Sequence, residues 1–201
     1  MNRIKAFIAS VALSVSAFGA NAAVISFDDI AGGVSGVTVA GPSGYAFNNI
    51  DALLDGNFST TVAMERFTGI GPGVSPSDPI TISASFDDLF TVESFGIATD
   101  WGSKFEQQIE SLTLTLFDDM GGSTSLFFSG LVTGSFATID LWTGSFVDAI
   151  GFQIDITGLQ NTNVEIRELV MTGTKQMQAV SAPALGGLLS LILALGFLRR
   201  K

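Results

Sequence analysis

The sequence contains no cysteine and no histidine. Without cysteine, no disulfide can stabilise the fold. Without histidine, Ser-His-Asp and Cys-His catalysis, histidine-ligated zinc and imidazole proton transfer are all excluded. These absences leave carboxylates, hydroxyls, amides and aromatic rings as the groups available for a function.

Positive charge is also scarce, with 9 Lys and Arg residues against 19 Asp and Glu residues in 201 residues. Five of the nine cations lie near the two ends of the chain: Arg3, Lys5, Arg199, Arg200 and Lys201. The chain between them has four cations and all 19 acids, a formal charge of −15. Such a surface repels nucleic acid, so we expect no nucleic-acid partner. It favours either plain solubility or calcium binding through oxygen ligands.

The N-terminal end has the pattern of a secretory signal peptide, predicted at residues 1–22. Basic residues precede an apolar stretch at 6–18, and Ala20-Asn21-Ala22 forms a small-residue cleavage site. The mature chain is therefore expected to begin at Ala23. An uncleaved N-terminal anchor is the alternative.

The C-terminal end predicts a linker and sorting motif at 176–183 and a transmembrane helix with a basic tail at 184–201. The motif is Val180-Ser181-Ala182-Pro183, and the tail ends in Arg199-Arg200-Lys201. The uncharged stretch between them would form a helix of about 22 Å, short against a hydrocarbon core of about 30 Å. The terminal basic residues should stay cytoplasmic.

These C-terminal parts resemble a PEP-CTERM sorting signal, the bacterial tail that an exosortase processes. Ser181-Ala182-Pro183 stands where that family has Pro-Glu-Pro. The resemblance implies a Gram-negative host, transit through the inner membrane, and an exosortase-like partner that cleaves near Pro183. Release to the cell surface or to an exopolysaccharide matrix would follow. A permanent C-terminal membrane anchor is the alternative.

Residues 23–175 predict a single all-β domain, a β-sandwich. Short apolar or alternating runs recur about every ten residues between Gly, Asp and Asn, which is typical of a sandwich or barrel. Strands are predicted at Ala23–Phe27, Val34–Ala40, Ile80–Phe86, Phe90–Ala98, Glu110–Phe117, Ser123–Gly130, Phe136–Leu141, Ala149–Thr157 and Val164–Thr172. The 17 phenylalanines are expected in the core.

Phe-Asp-Asp occurs three times, beginning at Phe27, Phe86 and Phe117. Each copy follows a strand-like run. Because an Asp at a strand end commonly bonds to its own backbone and starts a turn, three turns are expected.

The stretch Asp55-Gly56-Asn57 predicts a tight turn, since Gly and Asn tolerate positive φ. Oxygens of Asp55 and Thr60, with nearby carbonyls, could surround one hard cation. Calcium needs six to eight oxygen ligands, usually including a carboxylate from elsewhere in the fold. Glu168 in the last predicted strand is the candidate. An ordinary Asx turn beside a solvated Glu168 is the alternative.

These residues resemble the galactose-binding-like jelly roll of discoidin domains and several carbohydrate-binding modules. That family has an Asp-Gly-Asn turn with a Thr shortly after it, and it closes with an apolar strand that bears an acid and ends in Gly, here 166–173. Thr61-Val62-Ala63 stands where the family usually has Trp. The resemblance implies a structural calcium bound by Asp55, Asn57 through its backbone carbonyl, Thr60 and Glu168. It also implies that sugar binds on loops at one end of the sandwich.

Sugar recognition needs aromatic platforms with polar groups beside them. Trp101 is a candidate because it lies in a polar loop next to Asp100, and Tyr45 is a second candidate. Trp142 ends a predicted strand and is expected in the core. Plain packing is the alternative for Trp101.

The sequence therefore predicts a non-catalytic, exported jelly-roll-like sandwich that binds polysaccharide. A structural or adhesive matrix protein without a specific ligand is the alternative. An extracellular hydrolase that uses two carboxylates is the third interpretation, but some pair among 19 acids will lie close enough by chance, so carboxylate spacing does not favour it.

Overall fold

The structure is a computed structural model, which describes residues 22–33, 36–59, 62–66, 73–100, 108–134, 136–160 and 163–176. Only the backbone course is described for 62–66 and for Asp100. The predicted sorting motif and apolar tail lie outside these residues, as does the predicted signal peptide apart from Ala22. Within them, no helix has both the length and the apolar character needed to cross a membrane.

Nine strands form in the described part of the chain, and every neighbouring pair is antiparallel. Their bounds are β1 Ala23–Val24, β2 Thr38–Ala40, β3 Tyr45–Asn48, β4 Val62–Arg66, β5 Ile80–Asp100, β6 Ile109–Asp118, β7 Ser123–Ser129, β8 Ala137–Leu159 and β9 Val164–Lys175. Short 3₁₀ helices at Phe27–Asp29 and Ile50–Leu54 connect the early strands. The all-β sandwich predicted from the sequence is confirmed.

The two long strands β5 and β8 contribute to both layers of the sandwich. In the first layer, the beginning of β5 pairs with the end of β8, and the order is β2-β5-β8-β6-β7. In the second layer, the remainder of β5 pairs with the beginning of β8 and with β9, and the order is β8-β5-β9-β4-β3, with β1 on β9. The polypeptide chain thus passes from one layer to the other without interruption in two places, once within β5 and once within β8.

The passage between layers corrects the sequence prediction at two points. Separate strands were expected on either side of residues 87–89 and of residues 142–148, but β5 and β8 run through both segments. The β5–β8 ladder shifts register between Ser85 and Phe90 and again at Val92. Such irregularities bend a strand without ending it. Asp148, with φ of 57°, provides the corresponding change of direction in β8.

The core lies between the two layers and is built largely from phenylalanine and branched aliphatic residues. The Phe95 ring of the second layer meets the Phe152 ring of the first edge to face, with centroids 5.3 Å apart. Phe86 packs against Phe152 at 6.3 Å, beside the bend. The expectation that phenylalanines lie in the core is right for these residues but wrong for Phe58, Phe127 and Phe136, which are 44%, 65% and 49% exposed.

The three Phe-Asp-Asp copies adopt three different local structures. Asp118 ends β6 and accepts hydrogen bonds from the backbone N–H groups of Met120 and Gly122, the turn that was expected. Asp29 ends a 3₁₀ helix and accepts a hydrogen bond from the backbone N–H of Ser26. The turn expected at Asp87-Asp88 is wrong, because β5 continues through it and Asp88 pairs with Lys175 at the end of β9.

Strand boundaries elsewhere follow the predictions to different degrees. Three predicted strands, which became β6, β7 and β9, are confirmed, with β9 three residues longer than expected. The short strands β3 and β4 were missed. The strand expected at Ala23–Phe27 ends at Val24, because Phe27 begins a 3₁₀ helix.

Candidate functional site

The turn at Asp55-Gly56-Asn57 is stabilised by its own side chains. Asp55 Oδ1 accepts the backbone N–H of Asn57 at 2.7 Å, and Asn57 Oδ1 accepts the backbone N–H of Ser59 at 3.1 Å. Gly56 has φ of +72°, a conformation that favours glycine. The predicted tight turn is therefore present, and it follows the 3₁₀ helix Ile50–Leu54, in which Ala52, Leu53 and Leu54 are buried.

Glu168 reaches this turn because β9 contains an irregularity. Ala98 of β5 lies opposite Glu168, but the next β5 residue, Thr99, lies opposite Ile166. β9 therefore advances two residues where β5 advances one, and a bulge of this kind redirects a side chain. The Glu168 side chain is only 4% exposed, so the alternative of a solvated Glu168 is wrong.

The surroundings of Glu168 are costly for a free carboxylate. Burial is the main cause that raises its pKa from 4.5 to about 7, and the negative charge of Asp55 raises it further. Backbone N–H groups of Gly56 and Asn57 donate toward the carboxylate and oppose the rise. Glu168 Oε2 is buried and has no hydrogen-bond partner among the described residues. Two carboxyl groups thus meet with one oxygen left unsatisfied.

Arg167, which was not among the predicted site residues, holds the other end of the turn. Its Nη1 donates to the backbone carbonyl of Ser59 at 3.0 Å and lies 3.5 Å from that of Phe58. Consecutive residues of β9 therefore fix the 55–59 segment from two sides. No local motif marks this role, since Arg167 lies 108 residues from Ser59 in sequence.

The groups present fit an oxygen-binding cation such as calcium. Asp55 and Glu168 supply two carboxylates beside each other, and a divalent cation would both neutralise their repulsion and occupy the unsatisfied Oε2. No group of three potential metal-binding His, Cys, Asp or Glu side chains occurs in the described residues. Further ligands would have to be carbonyls or water. Asn57 belongs to the same turn, with its backbone N–H toward Glu168, and Thr60 lies outside the described residues.

Two clefts flank this turn. One of about 600 Å³ is lined by three acids, Asp28, Asp51 and Asp55, together with Asn49. The other, of about 370 Å³, is lined mainly by apolar groups, with Phe58 and Glu168 on its wall. The acidic character of the first cleft matches the strongly negative charge of the chain.

The candidate sugar-contact residues lie at one end of the second layer. Asp100 ends β5 and pairs with Glu165 of β9, while Tyr45 begins β3 and pairs with Arg66 of β4. From the registers, both lie at the same end of the sandwich, separated by β4 and β9. Tyr45 is half-buried and its ring stacks on Phe47 with centroids 6.3 Å apart. Trp101 lies outside the described residues.

The same end of the sandwich contains a second ordered loop that the sequence did not reveal. Gln108 is buried, and its Oε1 accepts the backbone N–H groups of Thr133 and Gly134 at 2.8 and 3.0 Å. Its Nε2 donates to Thr133 Oγ1 at 3.1 Å. One amide therefore fixes the loop that leads into β8.

No protein-family model matches the sequence, and no curated protein matches it. Solved structures share its fold. The C-terminal domain of a chitobiase from Bacteroides fragilis matches with a TM-score of 0.55 and 17% identity, over 77% of this chain and 100% of that domain. The family 32 carbohydrate-binding module of C. perfringens NanJ, solved in complex with galactose, matches with a TM-score of 0.54 and 16% identity, over 76% and 99% of the two chains. The likeness establishes the fold, a jelly-roll β-sandwich.

We predict that, without calcium, Glu168 makes the fold less stable as pH rises. Its folded pKa of about 7 lies above the usual 4.5. The folded state therefore holds a proton that the unfolded state has lost, and the resulting stability is fully present below about pH 4.5 and lost as pH rises through about 7. In EDTA, the Glu168→Gln variant should lack this decline, a difference of about 3 kcal/mol in unfolding free energy across that range.

The measurement is urea unfolding of residues 22–176, which contain every described strand, at a series of pH values. Glu110→Gln, at an exposed glutamate of β6, is the matched control and should follow the wild type. Identical pH profiles for the wild type and Glu168→Gln would show that Glu168 is not buried as a costly carboxylate.

Proposed function

We propose that this protein is a non-catalytic, exported module that binds polysaccharide at the cell surface or in the extracellular matrix. The observation that carries the proposal is the fold. The match with the NanJ module, which was solved with galactose, extends over 99% of that chain. The absence of histidine and cysteine from the sequence supports a binding role over a catalytic one.

The one close carboxyl pair described above is poorly suited to glycoside hydrolysis. A hydrolase must bring both carboxyl groups against the sugar. Glu168 is 4% exposed and directed at the backbone of the 55–57 turn, so a sugar ring cannot reach it. The pair is better explained by a structural cation that holds the turn against β9.

Sugar would bind on the loops at the end of the sandwich where Asp100 and Tyr45 lie, with Trp101 following Asp100 in the sequence. A β-sandwich presents loops of varied sequence there on a rigid scaffold, which is where binding residues concentrate. An aromatic ring and a neighbouring carboxylate would provide stacking and hydrogen bonding for a sugar. The calcium would support this scaffold without contacting the sugar.

Calcium at about 10 mM should stabilise residues 22–176 by about 1–3 kcal/mol, given the 0.1–1 mM affinities of extracellular calcium modules. This corresponds to a rise of a few degrees in melting temperature. Asp55→Ala should abolish the shift, because it removes a ligand that no other side chain replaces. Asp51→Ala, which removes an exposed acid from the neighbouring 3₁₀ helix, is the control and should retain the shift. An equal shift in both variants would indicate only general screening of negative charge.

Residues 22–176 should bind polysaccharide on a glycan array or in the host's own exopolysaccharide. Trp101→Ala should weaken binding at least about tenfold, since an aromatic anchor commonly contributes about 2 kcal/mol. Trp142→Phe is the matched control, because Trp142 packs against the core and phenylalanine keeps that packing. Absence of binding in both calcium and EDTA would exclude the proposed function and favour a structural matrix protein.

The proposed localisation rests on the sequences of the two ends of the chain. An N-terminal export signal and a PEP-CTERM-like tail would take the protein through the inner membrane to an exosortase-like enzyme. The exported protein should then lack Leu185 to Lys201, as measured by intact mass. A mass that includes Arg199-Arg200-Lys201 would identify the tail as a permanent membrane anchor.

A further inference from the structure

The strand β7 forms one edge of the first layer. All seven of its residues, Ser123–Ser129, pair in continuous register with β6, without a bulge. Within the described residues β7 has no other strand partner. In an antiparallel strand, about half of the backbone N–H and C=O groups point to each side, so one set faces away from β6. This set can be satisfied by water or by another strand.

Exposed edge strands normally carry features that prevent such pairing, namely charge, proline, a bulge or very short length. β7 has none of them. Residues 120–139 contain no charged residue and no proline, in a chain with 19 acids and 9 cations. The other edge of the first layer, β2, has only three residues. The edge strand β3 of the second layer has four residues and is followed by Asn49 with φ of 58°, which turns the chain away.

Exposed apolar residues are frequent on β7 and in the two connections that flank it. Eight large hydrophobic residues are exposed among those the structure describes, and four of them fall within residues 120–139. Met120, in the β6–β7 hairpin, is 88% exposed, and Phe127 on the outer face of β7 is 65% exposed. Leu126 and Phe128, on the inner face of β7, are only half-buried. The edge therefore offers both unpaired backbone groups and uncovered apolar side chains.

We propose that two copies of this protein associate edge to edge through antiparallel pairing of their β7 strands. The chain between its two ends has a formal charge of −15, so two copies repel each other over most of their surfaces. The uncharged β7 edge is where close approach costs least. An association of this kind strengthens with ionic strength, because salt screens the repulsion and leaves the strand contacts intact.

The sequence of β7 is compatible with pairing to itself. With the two-fold axis at Leu126, Ser123 lies opposite Ser129 of the second copy, and Ser125 lies opposite Phe127. The two Leu126 side chains then meet on the inner face and extend the apolar surface of the layer. No like charges face each other, which in an antiparallel pair would be destabilising.

The absence of cysteine allows a direct test in the full-length chain. A single cysteine introduced by Leu126→Cys should give disulfide-linked dimers on mild oxidation, and these should disappear on reduction. Ser77→Cys, at an exposed serine in the turn before β5, is the matched control and should cross-link several-fold less. Equal cross-linking of the two variants, or none in Leu126→Cys and its neighbour Ser125→Cys, would overturn the proposal.

A second pair of variants tests whether the edge itself mediates the contact. Phe127→Lys, added to Leu126→Cys, should reduce cross-linking several-fold, because it places a charge on the edge. Ser85→Lys adds the same charge to an exposed position of β5 in the same layer and should have little effect. Unchanged melting temperatures would establish that both variants fold. Equal effects of the two lysines would also overturn the proposal.

Discussion

The structure depends on two strands that each belong to both layers. β5 and β8 pair with each other through most of their length, first on one side of the sandwich and then on the other. The layers cannot separate without breaking this shared ladder and the Phe95–Phe152 contact inside it. Since no disulfide is available, the continuity of backbone and core performs the joining role that a cross-link provides in many exported sandwiches.

The long strand β5 also supports the irregularity in its neighbour β9. β9 lies beside the second half of β5 throughout, so a one-residue irregularity at Arg167 is tolerated and directs Glu168 out of the normal alternation. The buried carboxylate, the 55–59 turn and the guanidinium of Arg167 then form one unit on an otherwise regular sheet. A polar group buried at such cost generally has a role beyond packing, and the proposed cation would relieve the cost of both carboxyl groups together.

The sequence predicted the parts of this protein that depend on local pattern. Alternation in β6 and the flanking turn residues located the strands, and Asp-Gly-Asn located the turn. The continuity of β5 and β8 could not be predicted, because Asp87-Asp88 and Thr143-Gly144 read locally as breaks while tertiary pairing keeps them extended. The bulge in β9 did leave a signal: Ile166, Leu169 and Met171 are buried at spacings of three and then two, where a regular strand would keep two throughout.

The two proposals together constrain how such a protein would act in a matrix. Pairing of β7 strands is antiparallel, so the two-fold axis reverses the strand direction between copies. The loop ends that contain Asp100 and Tyr45 then point in opposite directions along the sheet. A dimer of this geometry would hold two of the proposed sugar-binding sites, and the two could not readily engage the same short stretch of one polysaccharide chain. It would instead link separate chains, and its effective affinity would depend on how densely those chains are packed.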